Sequence, residues 1–129
     1  ESGSANPRTG GTVLGVDDSI VTRMLEKSIL EAAGYTVRVA ADGVEAWKSL
    51  ENETVDVIVS DVNMPNMDGL ALTARVRGDV RTKGIPVVIV TSLDASDDHA
   101  RAMDVGADAY IVKSSFSQES LLETVGRLV

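Results

Sequence analysis

The stretch Val55–Gly69 reads VDVIVSDVNMPNMDG. Its opening, Val55–Ser60, is nearly continuous in β-branched residues rather than alternating apolar with polar. Such a run suits a strand buried on both faces, as in a parallel sheet covered by helices on either side. Asp61 follows the run directly, and a loop with Asn63, Pro65 and Gly69 comes next.

Working outward, Pro86–Val90 (PVVIV) has the same character, and shorter β-rich runs lie at Thr12–Val16, Tyr35–Ala40 and Ala109–Val112. Helical spacing fills the intervals. Val21, Leu25, Ile29 and Ala32 fall at steps of four, four and three, with Gly34 as a stop signal. Val44, Trp47 and Leu50 form a second stripe, and Leu72 and Val76 belong to a third. A fourth stretch, around Ala95 to Val105, opens with Ser96, Asp97 and Asp98, of which the two acidic residues complement a helix dipole, and ends at Gly106. The fifth carries Leu121, Leu122, Val125 and Leu128. Five βα units in succession predict an α/β fold, a doubly wound five-stranded parallel sheet with helices on both faces.

At 129 residues the chain fits one domain with one core. Glu1 to Gly11 has linker composition, so the domain is expected over 12–129. The net charge of −8 argues against nonspecific nucleic-acid binding and against docking on an anionic membrane. Cysteine is absent, which excludes disulfides and thiolate metal sites. No apolar run approaches the roughly 20 residues that span a bilayer. The polar start, without an initiating Met, reads as part of a soluble, cytoplasmic piece of a longer protein.

In doubly wound sheets, ligands bind beyond the carboxyl ends of the strands. Asp17 and Asp18 follow the first run, Asp61 the third, Thr91 and Ser92 the fourth, and Lys113 the fifth. Clustered carboxylates repel one another. A hard divalent cation relieves that, and Mg²⁺ accepts carboxylate, water and phosphate oxygens. Asp61 could then be an oxygen nucleophile toward phosphorus, with Lys113 as a point charge and Thr91 or Ser92 as a hydrogen-bond donor. Taken singly, each residue has a blander reading. Asp18 or Ser19 could cap the first helix, Thr91 and Ser92 could turn the chain, and Lys113 could be solvated. The coincidence of four strand ends favours the chemical reading.

Together VDDS (Val16–Ser19), VSDVNMPNMDG (Val59–Gly69), VTS (Val90–Ser92) and YIVK (Tyr110–Lys113) resemble the receiver domains of two-component signalling, the CheY-like response-regulator fold. The resemblance covers about residues 12 to 129 and implies strand order 2-1-3-4-5. It implies that Asp61 is the phosphoacceptor and that Mg²⁺ is held by Asp18, Asp17, Asp61 and the backbone carbonyl of Asn63. Thr91 would be the switch hydroxyl, Tyr110 the aromatic rotamer switch and Lys113 the phosphoryl contact. The donor would be a histidine kinase or histidine phosphotransfer domain, and the output face the one built by the fourth helix, fifth strand and fifth helix. Such a domain is a self-phosphorylating switch with slow autodephosphorylation, not a turnover enzyme. The tail YIVKSSFSQESLLETV resembles receivers at the C-terminus of CheA-type chemotaxis kinases, which implies a hybrid histidine kinase as parent.

Two departures stand out. Ser114 follows Lys113 where the family usually has Pro, and a cis bond before a non-proline residue costs about 2.5–4 kcal/mol, so a trans bond is expected. Gly15 interrupts the first strand, leaving no side chain to pack. Three other readings remain open. A haloacid-dehalogenase-type phosphatase would want an acid/base Asp where Asn63 stands. A nucleotide or flavin module would want a Gly-rich loop where Asp17 and Asp18 stand. A receiver that has lost phosphorylation would not need its acidic residues intact. His99, the single histidine, reads as an exposed helix residue, Trp47 as partial core, and Phe116 as an anchor for the last helix. Arg75, Arg77 and Arg81 read as a solvated basic face.

Overall fold

In the computed structural model the runs read as buried strands are the centre of a sheet. β3 (Val57–Asp61) and β4 (Val87–Thr91) are buried at every position. β1 (Thr12–Val16) lies beside β3, while β2 (Thr36–Ala40) and β5 (Ala109–Val112) close the two edges. All pairings are parallel and the order is β2-β1-β3-β4-β5, as the resemblance implied. The helices are α1 (Ile20–Ala32), α2 (Gly43–Asn52), α3 (Gly69–Gly78), α4 (Ser96–Asp104) and α5 (Gln118–Leu128). The structure describes residues 11–91, 96–112 and 117–128. Residues 1–10 of the expected linker, Ser92, Lys113, Ser114 and Phe116 lie outside these.

Alternation along each strand divides the interior in two. Leu14, Val16, Ile58, Val87 and Ile89 face α2, α3 and α4, packing on Trp47, Leu50, Leu72, Val76 and Ala102. Val13, Val57, Val59, Val88 and Val90 face α1 and α5, packing on Leu30, Leu121 and Val125. Trp47 is therefore full core at 7% exposure, and the guanidinium of Arg75 lies over its ring at 4.5 Å.

Local chemistry marks the helix ends. Ser19, Asp42 and Asp68 cap α1, α2 and α3, their side chains accepting from Thr22, Glu45 and Ala71 N–H groups. Gly34 takes φ +100°, and Tyr35 N–H reaches back to Leu30 carbonyl at 3.1 Å, which closes the end of α1.

The α1 stripe of Val21, Leu25, Ile29 and Ala32, read in the sequence as one helix face, is largely exposed, with Val21 at 74% and Leu25 at 50%, although Ile29 packs against the core. Glu26 and Leu30 are buried instead. Gly15 is the counterpart of Glu26. A Cβ at Gly15 would lie 3.5 Å from Glu26 Oε1, so the carboxyl arm occupies the space that the missing side chain leaves. The expectation of a solvated face is corrected at Arg77. Its guanidinium donates to the carbonyls of Gly106, Lys83 and Ile85 and to the carboxylate of Asp108. The same Asp108 oxygen accepts Val87 N–H at 2.9 Å, so Arg77 ties the end of α3 to the entries of β4 and β5.

Candidate functional site

The connections reverse direction between β1 and β3: β1 leads outward to β2, and β3 leads the other way to β4. A crevice opens at such a switch point, beyond the carboxyl ends of the strands. Asp17 and Asp18 follow β1 there, and Asp61 is the last residue of β3. Each offers a carboxylate oxygen, and the three oxygens lie within 4.8 Å of one another. Asp17 is 1% exposed and Asp61 8%, whereas Asp18 faces solvent.

Backbone contacts hold these groups in place. Asp17 N–H donates to Ala40 carbonyl at 3.1 Å, and Asp17 Oδ1 accepts Ser19 N–H at 2.8 Å. Arg23, one turn into α1, donates to Asp17 carbonyl at 2.7 Å. Asp61 Oδ1 accepts Val62 N–H at 2.8 Å, and Ser60 Oγ donates to Asp61 carbonyl at 2.9 Å.

The loop after Asp61 is clamped at both ends. Gly69 N–H donates to Val62 carbonyl at 2.9 Å, and a Cβ on Gly69 would fall 2.0 Å from Asp61 carbonyl oxygen, so only glycine permits this approach. At the far end Asn66 takes the left-handed φ of 68° and its Nδ2 donates to Asp42 Oδ2 at 2.7 Å. Gly43 N–H donates to Met67 carbonyl at 3.0 Å. The Asp42 carboxyl is held below its ordinary value, first by Glu45 N–H and then by the Asn66 amide. The N-cap of α2 thus also anchors the loop that carries Asn63, which is exposed.

Thr91 ends β4 fully buried. Ile89 is in register with Tyr110 and Thr91 with Val112, so Thr91 and Tyr110 share one sheet face on adjacent strands. Tyr110 is half-buried against the core beneath α4. The imidazole of His99 stacks on its ring, with centroids 4.8 Å apart and an interplanar angle of 30°.

Of the residues that the sequence singled out, Asp17, Asp18 and Asp61 come together, Asn63 lies on the adjoining loop, and Thr91 and Tyr110 lie diagonally on one face of the neighbouring strands. The supporting roles of Arg23, Asp42, Gly43, Ser60 and Asn66 and the stack of His99 were not foreseen. The pair Asp42–Gly43 carried a turn signal, but nothing in the sequence joined it to Asn66.

The family model for the response regulator receiver domain matches residues 13–126. This chain belongs to that family. Among related receiver proteins, the gliding motility regulatory protein of Myxococcus xanthus is 41% identical over 116 residues, 90% of this chain and 15% of that protein. The receiver thus spans a small part of that relative's length. The chemotaxis protein CheY4 of Vibrio cholerae superposes with a TM-score of 0.87 at 38% identity, covering 93% of this chain and 99% of that one. The receiver domain of sensor histidine kinase PA1611 from Pseudomonas aeruginosa, solved with a magnesium ion coordinated in its active-site cleft, gives a TM-score of 0.85 at 27% identity, over 92% of this chain and 97% of that one. Among the described residues of this receiver domain, no helix is long and apolar enough to cross a membrane.

Proposed function

We propose that Asp61 is the phosphoacceptor of this receiver domain, taking its phosphoryl group from a phosphohistidine on a histidine kinase or histidine phosphotransfer domain. The convergence of Asp17, Asp18 and Asp61 carries this reading. Three carboxylates form a hard oxygen set that suits Mg²⁺, and the Pseudomonas receiver holds magnesium in its cleft. Asp17, Asp18, Asp61 and the carbonyl of Asn63 would hold the ion here. When bound, it neutralises charge on the phosphoryl oxygens. An Asp61 carboxylate oxygen forms the new bond to phosphorus, the phosphorus–nitrogen bond of the donor breaks, and the leaving imidazole keeps the electron pair and takes up a proton. The Val62 N–H and the Ser60–Asp61–Gly69 contacts keep Asp61 facing the crevice. Lys113 is assigned a phosphoryl oxygen by its place directly after β5.

Thr91, at the end of β4, and Tyr110, on β5, respond to the phosphoryl group, and the output belongs to the α4-β5-α5 face. The domain acts as a switch with slow autodephosphorylation rather than as a turnover enzyme. The donor has a surface to meet. Ile20, Val21, Met24 and Leu25 on α1 are 64%, 74%, 56% and 50% exposed, and they begin one turn from Asp18. The small share of the Myxococcus protein that is covered, and the sensor-kinase origin of the Pseudomonas receiver, support a hybrid histidine kinase as the parent; its CheA type rests on the resemblance of the C-terminal tail alone.

Incubation with Mg²⁺ and acetyl phosphate, followed by intact-mass and peptide analysis, tests the assignment. One phosphoryl adduct at Asp61, absent from Asp61→Asn and from a metal-free control, is the expected result. An adduct elsewhere, or sustained turnover of small phosphate esters, would refute it.

A further inference from the structure

His99 is exposed on α4, and yet its ring lies on Tyr110 rather than in open solvent. The helix that presents it is held at its C-terminal end. Ala102, three residues on, is fully buried, and Ala107 N–H bonds back to Ala102 carbonyl at 3.0 Å. Arg77 then pins the following turn through Gly106 carbonyl at 3.0 Å. His99 is therefore offered to Tyr110 from an anchored element. Tyr110, in turn, is only half-buried and shares a sheet face with the buried Thr91. In the proposed switch Tyr110 moves toward Thr91, and that movement would take its ring away from the imidazole.

We propose that His99 is a positioning residue for the switch, a latch whose stack holds Tyr110 in its half-buried position and opposes the phosphorylated arrangement. This rests on the reading of Asp61 as phosphoacceptor. An offset aromatic stack is worth a modest free energy beyond its buried area, and that energy is present in only one of the two arrangements. Its removal shifts the population by about two- to tenfold. Because phosphorylation and Tyr110 movement are linked, the same factor enters the affinity for a phosphoryl mimic.

The test uses the whole chain labelled with 3-fluorotyrosine. Its two tyrosines, Tyr35 and Tyr110, give separate fluorine signals, assigned with Tyr35→Phe. The probe is beryllofluoride with Mg²⁺. The wild type should show a Tyr110 signal that moves on titration, and Asp61→Asn should not respond. In His99→Ala the resting Tyr110 signal should already lie toward the beryllofluoride position, and affinity for the mimic should rise about two- to tenfold. His99→Phe restores a stack and should return both readouts to within about twofold of wild type. The latch is overturned if His99→Ala leaves both readouts unchanged or weakens binding, or if His99→Phe behaves as His99→Ala. A wild type that takes no beryllofluoride would instead bring down the phosphoacceptor reading, and the latch with it.

Discussion

The residue with the least latitude is Gly69. Its φ is not what restricts it; the restriction is the Asp61 carbonyl, which a Cβ would meet at 2.0 Å. The obstacle is backbone, and that backbone carries the candidate phosphoacceptor. Gly69→Ala should cost roughly 3 kcal/mol or more in urea unfolding and should slow phosphorylation at Asp61. Gly15→Ala is the internal comparison. There the new Cβ makes an ordinary contact of 3.5 Å with Glu26 Oε1, and the substitution also stiffens the unfolded chain, so the change should stay within about 1 kcal/mol. Equal losses from the two would show that the close approach to Asp61 is not what requires glycine. This contrast was only half legible in the sequence. Gly69 belongs to a motif, whereas Gly15 looked like a weakness until the burial of Glu26 gave it a purpose. Asp17, Asp18 and Asp61 could be found because strand ends in a parallel sheet converge whatever the side chains between them. The hydrogen bond from Asn66 to Asp42 spans 24 residues and depends on a left-handed φ, and no local pattern encodes it.

Elements repeat the same division. β3 and β4 were readable because a strand buried on both faces leaves an uninterrupted apolar run. The stripe in α1 marked a helix but not its buried side, because Val21 and Leu25 face outward and the face on the sheet includes a glutamate. Periodicity reports a stripe but not what covers it. The exposed stripe offers a test at this scale. Leu25→Glu lies on a solvent-facing surface and should leave stability within about 0.5 kcal/mol. It should lower the rate of transfer from a phosphohistidine donor while acetyl phosphate works as before. Equal loss with both donors would remove α1 as the docking face. Arg77 is the opposite case, a charged residue that sequence assigned to solvent and the fold made structural. It satisfies three carbonyls and Asp108 at once, through a planar fork that lysine cannot reproduce. Arg77→Met should destabilise by about 2–4 kcal/mol, and Arg77→Lys should recover little of this in thermal or urea unfolding. Full recovery by lysine would mean that charge alone matters there.

For the molecule as a whole, the acidic crevice sets folding against function. Asp17, Asp18 and Asp61 bring their charges within 4.8 Å of one another, and the unfolded chain relieves that repulsion by letting them separate. If the crevice binds a cation, as proposed, it is a site of lost stability when the cation is withheld. Asp18 is the member to change, because it is exposed and its removal leaves no buried group behind. Asp18→Asn should raise the urea midpoint in the presence of a chelator, by a stabilisation of about 1 kcal/mol. Mg²⁺ should reverse the order. For the wild type, free Mg²⁺ at a hundred times its dissociation constant adds about 2.7 kcal/mol, and Asp18→Asn should gain little of this. The two unfolding curves, measured with and without the ion, should therefore cross. If Asp18→Asn is the less stable form under chelation, the carboxylates are not in mutual repulsion, and the crevice owes its geometry to hydrogen bonding rather than to an awaited cation. If Asp18→Asn is the more stable form and still gains fully from Mg²⁺, the repulsion stands but the ion sits elsewhere, and the chemistry assigned to Asp61 loses its metal.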